Sequence, residues 1–505
     1  MPEQAREGAR GNAGRNPGGQ GRGAGAARGA GSAVGGAPGR TGLLVPVLLL
    51  AACCVALAQT VVVTSLPLLQ RQSEVSAATA AWLLTAFMLA SAVVTPVAGR
   101  VGDLFGYRPV LTACLLCLAA GSALAAVAAH ASWFGGMVAA RVVQGCSGGA
   151  FPLAFGLARR LVPAARLGGV VAALSAMFGV GGALGMALGG PLADALGTDR
   201  LFWLLLLLAA AALAGVRTLP ADAGTPAGRR EGRPGVDLPG ALLLAAALSA
   251  LLLGITQGRA WGWGSARTLG LGAAAVLLGA AFALVERRAP APLVDPALLR
   301  GRARAVTHLA TLVVGAAMFS AVSLMPQFLQ TPPAAGYGFG ASATRTGLAV
   351  IPMAVAMVLA APFAARLSAR CGGRVTFGAG ALLAALALGA MGTANGHLWE
   401  FTLEGTLLGV AYGLAFASLG QLVVASADRA HTGAATAINV ILRTVGGAVG
   451  TQVSAVLVTA SVPGGGGPPA ESGYAAAFAV AAATALLALL LSRLMPAGAA
   501  ATAPK

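Results

Sequence analysis

The chain has 505 residues, of which 57% are hydrophobic and only 10% are charged, and its formal net charge is +18. A soluble domain carries about 25% charged residues because its surface must face water, so this composition excludes an ordinary soluble protein. The mean hydropathy of +0.81 and the long apolar runs instead predict a chain embedded in lipid.

The first segment, residues 1–42, is a low-complexity run of Gly, Ala and Arg. We predict a disordered cytoplasmic tail that helps to fix the membrane topology. An RNA-binding Gly/Arg segment is the alternative, but the tail lacks interleaved Phe or Tyr for stacking on bases, so no nucleic-acid partner is expected. It also lacks an apolar stretch with a small-residue cleavage site, which argues against a signal peptide.

Fourteen apolar segments follow, each with roughly the 20 residues that a helix needs to cross about 30 Å of hydrocarbon. Arg-rich turns alternate with Arg-poor turns, and by the positive-inside rule the Arg-rich turns are cytoplasmic. This assignment places both termini in the cytoplasm. The fold class is therefore an all-α integral membrane protein. The predicted spans lie near residues 43–67, 79–99, 109–130, 133–157, 169–195, 200–216, 237–257, 267–285, 305–329, 345–366, 375–394, 399–426, 432–462 and 474–495.

The spans group as six, two and six. Residues 43–216 form a predicted N-terminal six-helix bundle and residues 305–495 a C-terminal one. Between them, residues 217–304 hold cytoplasmic linkers and a two-helix insertion, and residues 496–505 form a cytoplasmic tail. Two bundles around a central site are a common plan of secondary transporters.

The sequence also excludes several kinds of chemistry. Its only lysine is Lys505, so a P-loop, which needs a lysine beside its glycines, cannot form. The four histidines are scattered without metal-ligand spacing. We expect no enzyme activity, no metal and no cofactor. Transport must then draw on a gradient or merely equilibrate a solute.

The turn between the second and third spans contains Gly99, Asp103, Gly106 and Arg108. The run Gly-Arg-Val-Gly-Asp-Leu-Phe-Gly-Tyr-Arg resembles the cytoplasmic-loop signature of the major facilitator superfamily. Asp103 can accept hydrogen bonds from a helix N-terminus and from Arg108 or a neighbouring Arg. The resemblance implies that these four residues latch an inner gate. An ordinary solvated turn is the alternative.

Span 4 contains Arg141 and Gln144 in an Arg-x-x-Gln-Gly pattern that is also similar to this superfamily. A charge at this depth costs several kcal/mol, so Arg141 is expected to face a polar cavity. A structural Arg that donates to helix carbonyls is the alternative.

Span 5 resembles the antiporter signature of the superfamily. Its Gly181, Gly185 and Gly189 share one helix face and permit close helix approach, and Gly190 completes the motif. The signature proline is Met186 here, which leaves the packing face intact but removes the expected kink.

Span 1 ends with the run Leu57-Ala-Gln-Thr-Val-Val-Val-Thr-Ser-Leu-Pro67, span 2 contains Trp82-Leu-Leu-Thr-Ala-Phe87, and span 13 contains Asn439-Val-Ile-Leu-Arg443. These runs resemble the fourteen-span drug:proton antiporter family, and the likeness extends over residues 41–495. The membrane aspartate of that family is Ala58 in this chain, and the neighbouring Gln59 can hydrogen-bond a substrate but cannot titrate. The predicted substrate-binding residues are Gln59, Trp82, Phe87, Gln144, Asn439 and Arg443.

Glu404 is the candidate for binding a coupling proton, together with Arg141, because it lies within span 12 while the other acids lie in loops or at span ends. A Glu that points to water beside Glu400 is an equally weighted alternative. Two membrane arginines against one acid favour neutral or weakly anionic amphiphiles over cations. Further candidates for the cavity wall are Phe151, Phe155, Phe319, Phe328, Met88, Met177, Met318 and Met325.

These observations predict an exporter of small amphipathic compounds that exchanges them for protons. The Ala, Gly and Arg bias indicates a GC-rich bacterial genome, so we expect a monomer in the bacterial plasma membrane whose partners are a small-molecule substrate, protons and lipid. One rival is a proton-independent facilitator, because Ala58 and Met186 depart from the antiporter pattern. The other is a membrane sensor or scaffold that recruits a partner through the N-terminal tail.

Overall fold

The computed structural model describes residues 43–75, 77–80, 82–220, 237–289, 301–393, 396–426, 432–462 and 468–495. The predicted tails, 1–42 and 496–505, and much of the two predicted linkers lie outside the described residues. The predicted boundaries of the bundles and linkers therefore stay predictions.

Long helices make up almost all of the described chain. The first six crossings are α1 (Leu44–Gln72), α2 (Trp82–Phe105), α3 (Tyr107–His130), α4, α5 (Ala164–Leu196) and α6 (Thr198–Thr218). The fourth, α4, has two α-helical parts, Phe134–Gly145 and Ala150–Leu161, joined by the 3-10 turn Cys146–Gly149. A short helix, Ala77–Ala80, precedes α2, so the second crossing begins at Trp82 and not at residue 79.

The remaining eight crossings follow in the predicted order. They are α7 (Leu238–Trp261), α8 (Ala266–Glu286), α9 (Arg302–Gln330), α10 (Ala343–Cys371), α11 (Gly373–Met391), α12 (Leu398–Ser426), α13 (Thr432–Ala460) and α14 (Glu471–Ser492). Because each of these helices crosses the membrane, successive crossings run in opposite directions. We name the membrane face at which α1 begins the Leu44 face and the face at which it ends the Gln72 face.

Thirteen of the described helices are long and apolar enough to cross a membrane. The crossing missing from this count is α4, because its 3-10 turn divides it into two parts of 12 residues. With α4 included, the helices agree with the fourteen predicted spans. The prediction of an all-α integral membrane fold is confirmed.

Glycines at the break in α4 lie directly against α2. A Cβ on Gly145 would lie 2.6 Å from the carbonyl oxygen of Phe87, and one on Gly149 would lie 2.3 Å from Cβ of Ala98. Only residues without a side chain allow α4 to approach α2 this closely. The break therefore lies at the tightest part of the α2–α4 contact.

Helices α1–α6 pack together, chiefly through α1 with α5 and α3 with α6, and α9–α14 pack together through α9 with α13 and α10 with α12. The two bundles meet along α5, which contacts α10 and α12, and along α13, which contacts α2 and α4. The inserted α7 packs beside α2 and α13, and α8 packs mainly against α7. Of the residues of α8, all of them described, only Thr268 and Glu286 are buried.

Candidate functional site

A cavity of about 490 Å³ lies between the two bundles. In each helix that lines it, the lining residues lie in the half nearer the Gln72 face. Gln327 and Gln330 at the end of α9 are exposed, so the cavity opens towards that face. The lining residues are Gln59, Thr60, Val63, Leu84, Thr85, Met88, Thr256, Phe319, Val322, Ser323, Pro326, Gln327, Gln330, Gly447, Ala448, Thr451 and Gln452.

The cavity wall combines apolar surface with amides and hydroxyls. Within the described part of the chain, no lining residue carries a charge. The inserted helix α7 takes part, because its Thr256 lines the cavity and its carbonyl oxygen accepts from the side-chain amide of Gln452 at 3.5 Å. Such a wall suits an amphipathic molecule that offers several hydrogen-bonding groups.

Apolar packing closes the floor of the cavity on the side of the Leu44 face. Ala92 of α2, Leu248 and Leu252 of α7 and Ala448 of α13 form one buried cluster, against which Leu89 packs. The insertion thus helps to seal the path between the bundles beneath the cavity.

Polar contacts also join the bundles nearer the Leu44 face. Arg159, at the end of α4, donates to the carbonyl oxygen of Val424 and to Oγ1 of Thr432 at 3.2 Å. The side-chain amide of Gln421 donates to the carbonyl oxygen of Gly168 at 3.0 Å. The molecule is therefore closed at the Leu44 face and open at the Gln72 face.

Arg141 lies behind the cavity wall and is 1% exposed. Its Nε donates to the carbonyl oxygen of Leu83, and its Nη1 donates to the carbonyl oxygen of Ala58 and to Oε1 of Gln144, each at 2.8 Å. The Phe87 ring lies 4.4 Å from its guanidinium carbon. Three of the predicted residues, Phe87, Arg141 and Gln144, thus form one buried network.

The network also explains the consequence of Ala58. Ala58 has no carboxylate side chain, so Arg141 bonds only the backbone carbonyl oxygen of this residue. Nη2 of Arg141 has no hydrogen-bond partner among the described residues. Gln144 extends the network by donating to Oγ of Ser122 at 2.9 Å. None of the partners that the described residues give this guanidinium is a carboxylate.

Arg443 occupies a second buried position, on α13, and is 4% exposed. Its guanidinium carbon lies 3.6 Å from the ring centroid of Phe178, 5.3 Å from that of Phe416 and 5.8 Å from that of Phe151. Its Nε and Nη2 have no hydrogen-bond partner in the described chain. We call this arrangement the Arg443 cage.

The other predicted binding residues occupy different places. Gln59 lines the cavity. Asn439 donates to Oγ1 of Thr311 at 2.8 Å, which joins α13 to α9. Trp82 is half-buried at the start of α2. Glu404 is 8% exposed, its Oε2 has no hydrogen-bond partner among the described residues, and it is not one of the residues that line the cavity.

The predicted gating residues surround the junction of α2 and α3. Gly106 has a φ of 100°, a conformation that favours glycine and makes the sharp turn possible. Asp103 accepts a hydrogen bond from the hydroxyl of Tyr107 at 2.5 Å. Arg108 donates to the carbonyl oxygens of Val216 and Arg217 at 3.2 and 2.6 Å. Gly99 is buried within α2.

The predicted antiporter glycines lie where α5 crosses α1. A Cβ on Gly181 would be 2.7 Å from the carbonyl oxygen of Cys53, and one on Gly185 would be 2.9 Å from the backbone nitrogen of Val61. Oγ1 of Thr60 donates to the carbonyl oxygen of Gly181 at 3.4 Å. Gly189 is buried further along α5, and the surroundings of Gly190 lie outside what the structure describes.

Several cavity residues were not singled out by sequence reasoning, although a signal for some of them exists. On α9, Ser323, Gln327 and Gln330 recur at helical spacing within an apolar span, which marks a polar stripe. Thr451 and Gln452 on α13 are isolated polar residues without such a pattern. Thr256 belongs to the insertion, and its position at the cavity depends on how α7 docks.

Two helical bundles around a central cavity are a common plan of secondary transporters. A model of the Major Facilitator Superfamily matches residues 48–239 and 307–504. The chain belongs to this superfamily. The prediction of the family is confirmed.

Similar proteins include several from Mycobacterium tuberculosis and from Streptomyces species. The chain is 32% identical to an uncharacterized MFS-type transporter of Mycobacterium tuberculosis over 83% of its own length, and it spans 60% of that relative. It is 30% identical to the tetracenomycin C resistance and export protein of Streptomyces glaucescens, covering 81% of this chain and 74% of the relative. It is 31% identical to a puromycin resistance protein of Streptomyces alboniger, covering 81% and 80%.

Solved structures agree in fold. A human organic anion transporter superposes with a TM-score of 0.60 at 18% identity, covering 90% of this chain and 99% of the other. A proton:xylose symporter superposes with a TM-score of 0.59 at 14% identity, covering 90% and 95%. At these identities the likeness establishes the fold alone.

Proposed function

We propose that this protein is a secondary active exporter that moves small amphipathic compounds, such as antibiotics, across the bacterial plasma membrane in exchange for protons. The observation that carries the proposal is the cavity between the bundles, open at one face and closed at the other. The names of the Streptomyces relatives, which include resistance and export, support it. The Leu44 face is cytoplasmic in this proposal, so the cavity opens outwards, with both termini inside and the protein acting as a monomer.

In this cycle the bundles rock about the cavity, which then faces the two sides of the membrane in turn. The inner gate consists of Gly99, Asp103, Gly106 and Arg108. The contacts of Arg159 and Gln421 between the bundles support a closed inner gate. Release of these contacts opens the cavity to the cytoplasm, where substrate enters.

The direct test compares drug susceptibility of a sensitive bacterial host with and without the gene, across a panel that includes puromycin and tetracenomycin C. We expect the gene to raise the inhibitory concentration of at least one compound. Gln59→Ala and Thr451→Val should reduce that resistance, since both side chains line the cavity. Thr484→Val on α14, outside the cavity, is the matched control. Full resistance in both cavity variants would contradict the proposed site.

Proton coupling is assigned to Glu404, assisted by Arg141. Glu404 is a buried carboxyl with an unpartnered oxygen, and protonation removes the cost of its burial. A change in its charge can bias the two gates. We expect Glu404→Gln to abolish the response of export to a pH gradient in inside-out vesicles, whereas Glu400→Gln, which changes a more exposed acid, should leave it intact.

The rival that an observation favours is proton-independent facilitated export. Ala58 occupies the position at which the antiporters that this chain resembles have an acidic residue. Arg141 donates to the backbone carbonyl oxygen of Ala58. Collapse of the pH gradient distinguishes the two, because the net flux of a facilitator does not respond. Unchanged export after collapse would replace the antiport proposal with the facilitator.

A further inference from the structure

A second cation-bearing site lies directly beneath the cavity floor. Arg443 is four residues from Gly447 on α13, so the two share one helix face a single turn apart. Gly447 lines the cavity, and a Cβ there would lie 2.6 Å from the ring of Phe319. The rings of Phe319 and Phe178 are 5.9 Å apart, and Phe178 covers the Arg443 guanidinium. A row of two rings thus separates the cavity from the charge.

The unpartnered atoms of Arg443 have a specific geometry. Nε and Nη2 form one edge of the planar guanidinium, and their N–H bonds point in parallel, which is how arginine binds a carboxylate through two hydrogen bonds. Phe178, Phe416 and Phe151 surround the guanidinium carbon and stabilise its charge, but aromatic faces do not replace these hydrogen bonds. A buried cation in this condition favours any acid that can reach it.

Nothing in the described chain supplies that acid. Both atoms are unpartnered among the described residues, and the lining of the cavity above contains amides and hydroxyls without a carboxylate. Arg141, another buried cation, donates to the carbonyl oxygens of Ala58 and Leu83, each of which is next to a lining residue. Two positive charges that no described carboxylate pairs with therefore flank a low-dielectric cavity, which raises the local concentration of anions.

We propose that Arg443 is the subsite for an acidic group of the substrate, a carboxylate or an ionised phenol, and that Phe178 and Phe319 form the partition that admits it. The proposal deepens the proposed function, on which it rests, by naming acidic amphiphiles as the substrate class. The apolar body of the substrate occupies the cavity, while its acid passes the rings when either changes rotamer. In the present conformation the subsite is occluded.

The test uses two xanthene dyes of similar size and opposite charge, fluorescein and rhodamine 123, with the purified full-length protein. Binding is followed by fluorescence anisotropy. We expect fluorescein to bind about tenfold tighter than rhodamine 123, the ratio typical of a hydrogen-bonded charge pair. Arg443→Gln should remove that preference while leaving rhodamine 123 binding within about twofold, and Arg443→Lys should retain part of it. Equal loss for both dyes would assign Arg443 a purely structural role and overturn the proposal.

A second variant keeps the test decisive if Arg443→Gln does not assemble. Gln452→Glu is nearly isosteric and places a carboxylate in the cavity, where it should weaken fluorescein binding and strengthen rhodamine 123 binding. An unchanged ratio would again overturn the proposal. Transport of both dyes into inside-out vesicles is measured separately. Arg443-dependent binding without transport contradicts only the proposed function, whereas transport of both dyes that is indifferent to Arg443 contradicts only this inference.

Discussion

At the scale of single residues, Arg141 joins three helices through one guanidinium. Its acceptors are the backbone of Ala58 on α1, the backbone of Leu83 on α2 and the side chain of Gln144 on α4. Sequence reasoning offered two roles for this residue, a polar-cavity group or a donor to helix carbonyls. The hydrogen bonds agree with the role of a donor to helix carbonyls. The positive charge of Arg141 still acts on the nearby cavity, although its side chain does not line it.

This arrangement predicts that Arg141→Lys destabilises the protein. An ammonium cannot reproduce the planar fork that reaches the Leu83 and Ala58 carbonyls together, so at least one charge-assisted hydrogen bond worth about 1.5–3 kcal/mol is lost. Thermal unfolding in detergent, followed by tryptophan fluorescence, measures the change. Arg200→Lys on the exposed side of α6 is the control and should leave the melting temperature unchanged. Equal melting temperatures for both variants would contradict the prediction.

At the scale of helices, glycines permit the closest contacts between helix faces. Gly181 and Gly185 bring α5 against α1, and Gly145 and Gly149 bring α4 against α2. The spacing of Gly181 and Gly185 predicted a packing face from sequence alone, because residues four apart share a helix side. The partner helix was not predictable, since the spacing says nothing about what packs on that face.

The crossing of α1 and α5 gives a paired prediction. Gly185→Ala places a Cβ 2.1 Å from Oγ1 of Thr60 and 2.9 Å from the backbone nitrogen of Val61, so the helices must separate, at a cost of about 1–3 kcal/mol. Gly182→Ala, one turn away, meets only Cγ2 of Thr60 at 3.8 Å and should be neutral or slightly stabilising. Melting temperatures of the two variants make the comparison. A similar loss in both would show that helix propensity, and not the crossing, governs this region.

At the scale of the whole molecule, the contacts between the bundles set the conformation. Arg159 reaches Val424 and Thr432 across the interface nearer the Leu44 face, whereas the cavity separates the bundles nearer the Gln72 face. Arg159 belongs to the positive-inside pattern in the sequence, which predicted its side of the membrane but gave no indication of its partners.

Loss of the Arg159 contacts should favour opening at the Leu44 face. A cysteine at Ser175, which is 3% exposed and faces Gly420, reports that opening in a background without the native cysteines. In inside-out vesicles, Arg159→Gln should raise its rate of labelling by a membrane-impermeant maleimide several-fold. Arg166→Gln, an exposed arginine nearby, is the control. Labelling that is equally slow in both variants would show that the Arg159 contacts do not keep the Leu44 face closed.

Sequence predicted the helical fold well because hydropathy acts over about 20 consecutive residues and needs no knowledge of tertiary structure. It predicted the site less completely. Arg443 was selected as a charge in the membrane, but Phe178 is 265 positions away and on another bundle, so the cage depends on how α5 and α13 dock. Thr256 lines the cavity for the same reason, through the docking of α7. Contacts between helices that are distant in sequence leave no local pattern.

The short 3-10 turn at Cys146–Gly149 bears on the sides of the membrane on which Leu44 and Met495 lie. The unbroken apolar helices of the described chain number thirteen, and an odd number of crossings would put Leu44 and Met495 in different compartments. Including the divided fourth crossing makes the number even, so that Leu44 and Met495 lie on the same side. Accessibility labels placed at these two residues should therefore report the same side of the bilayer.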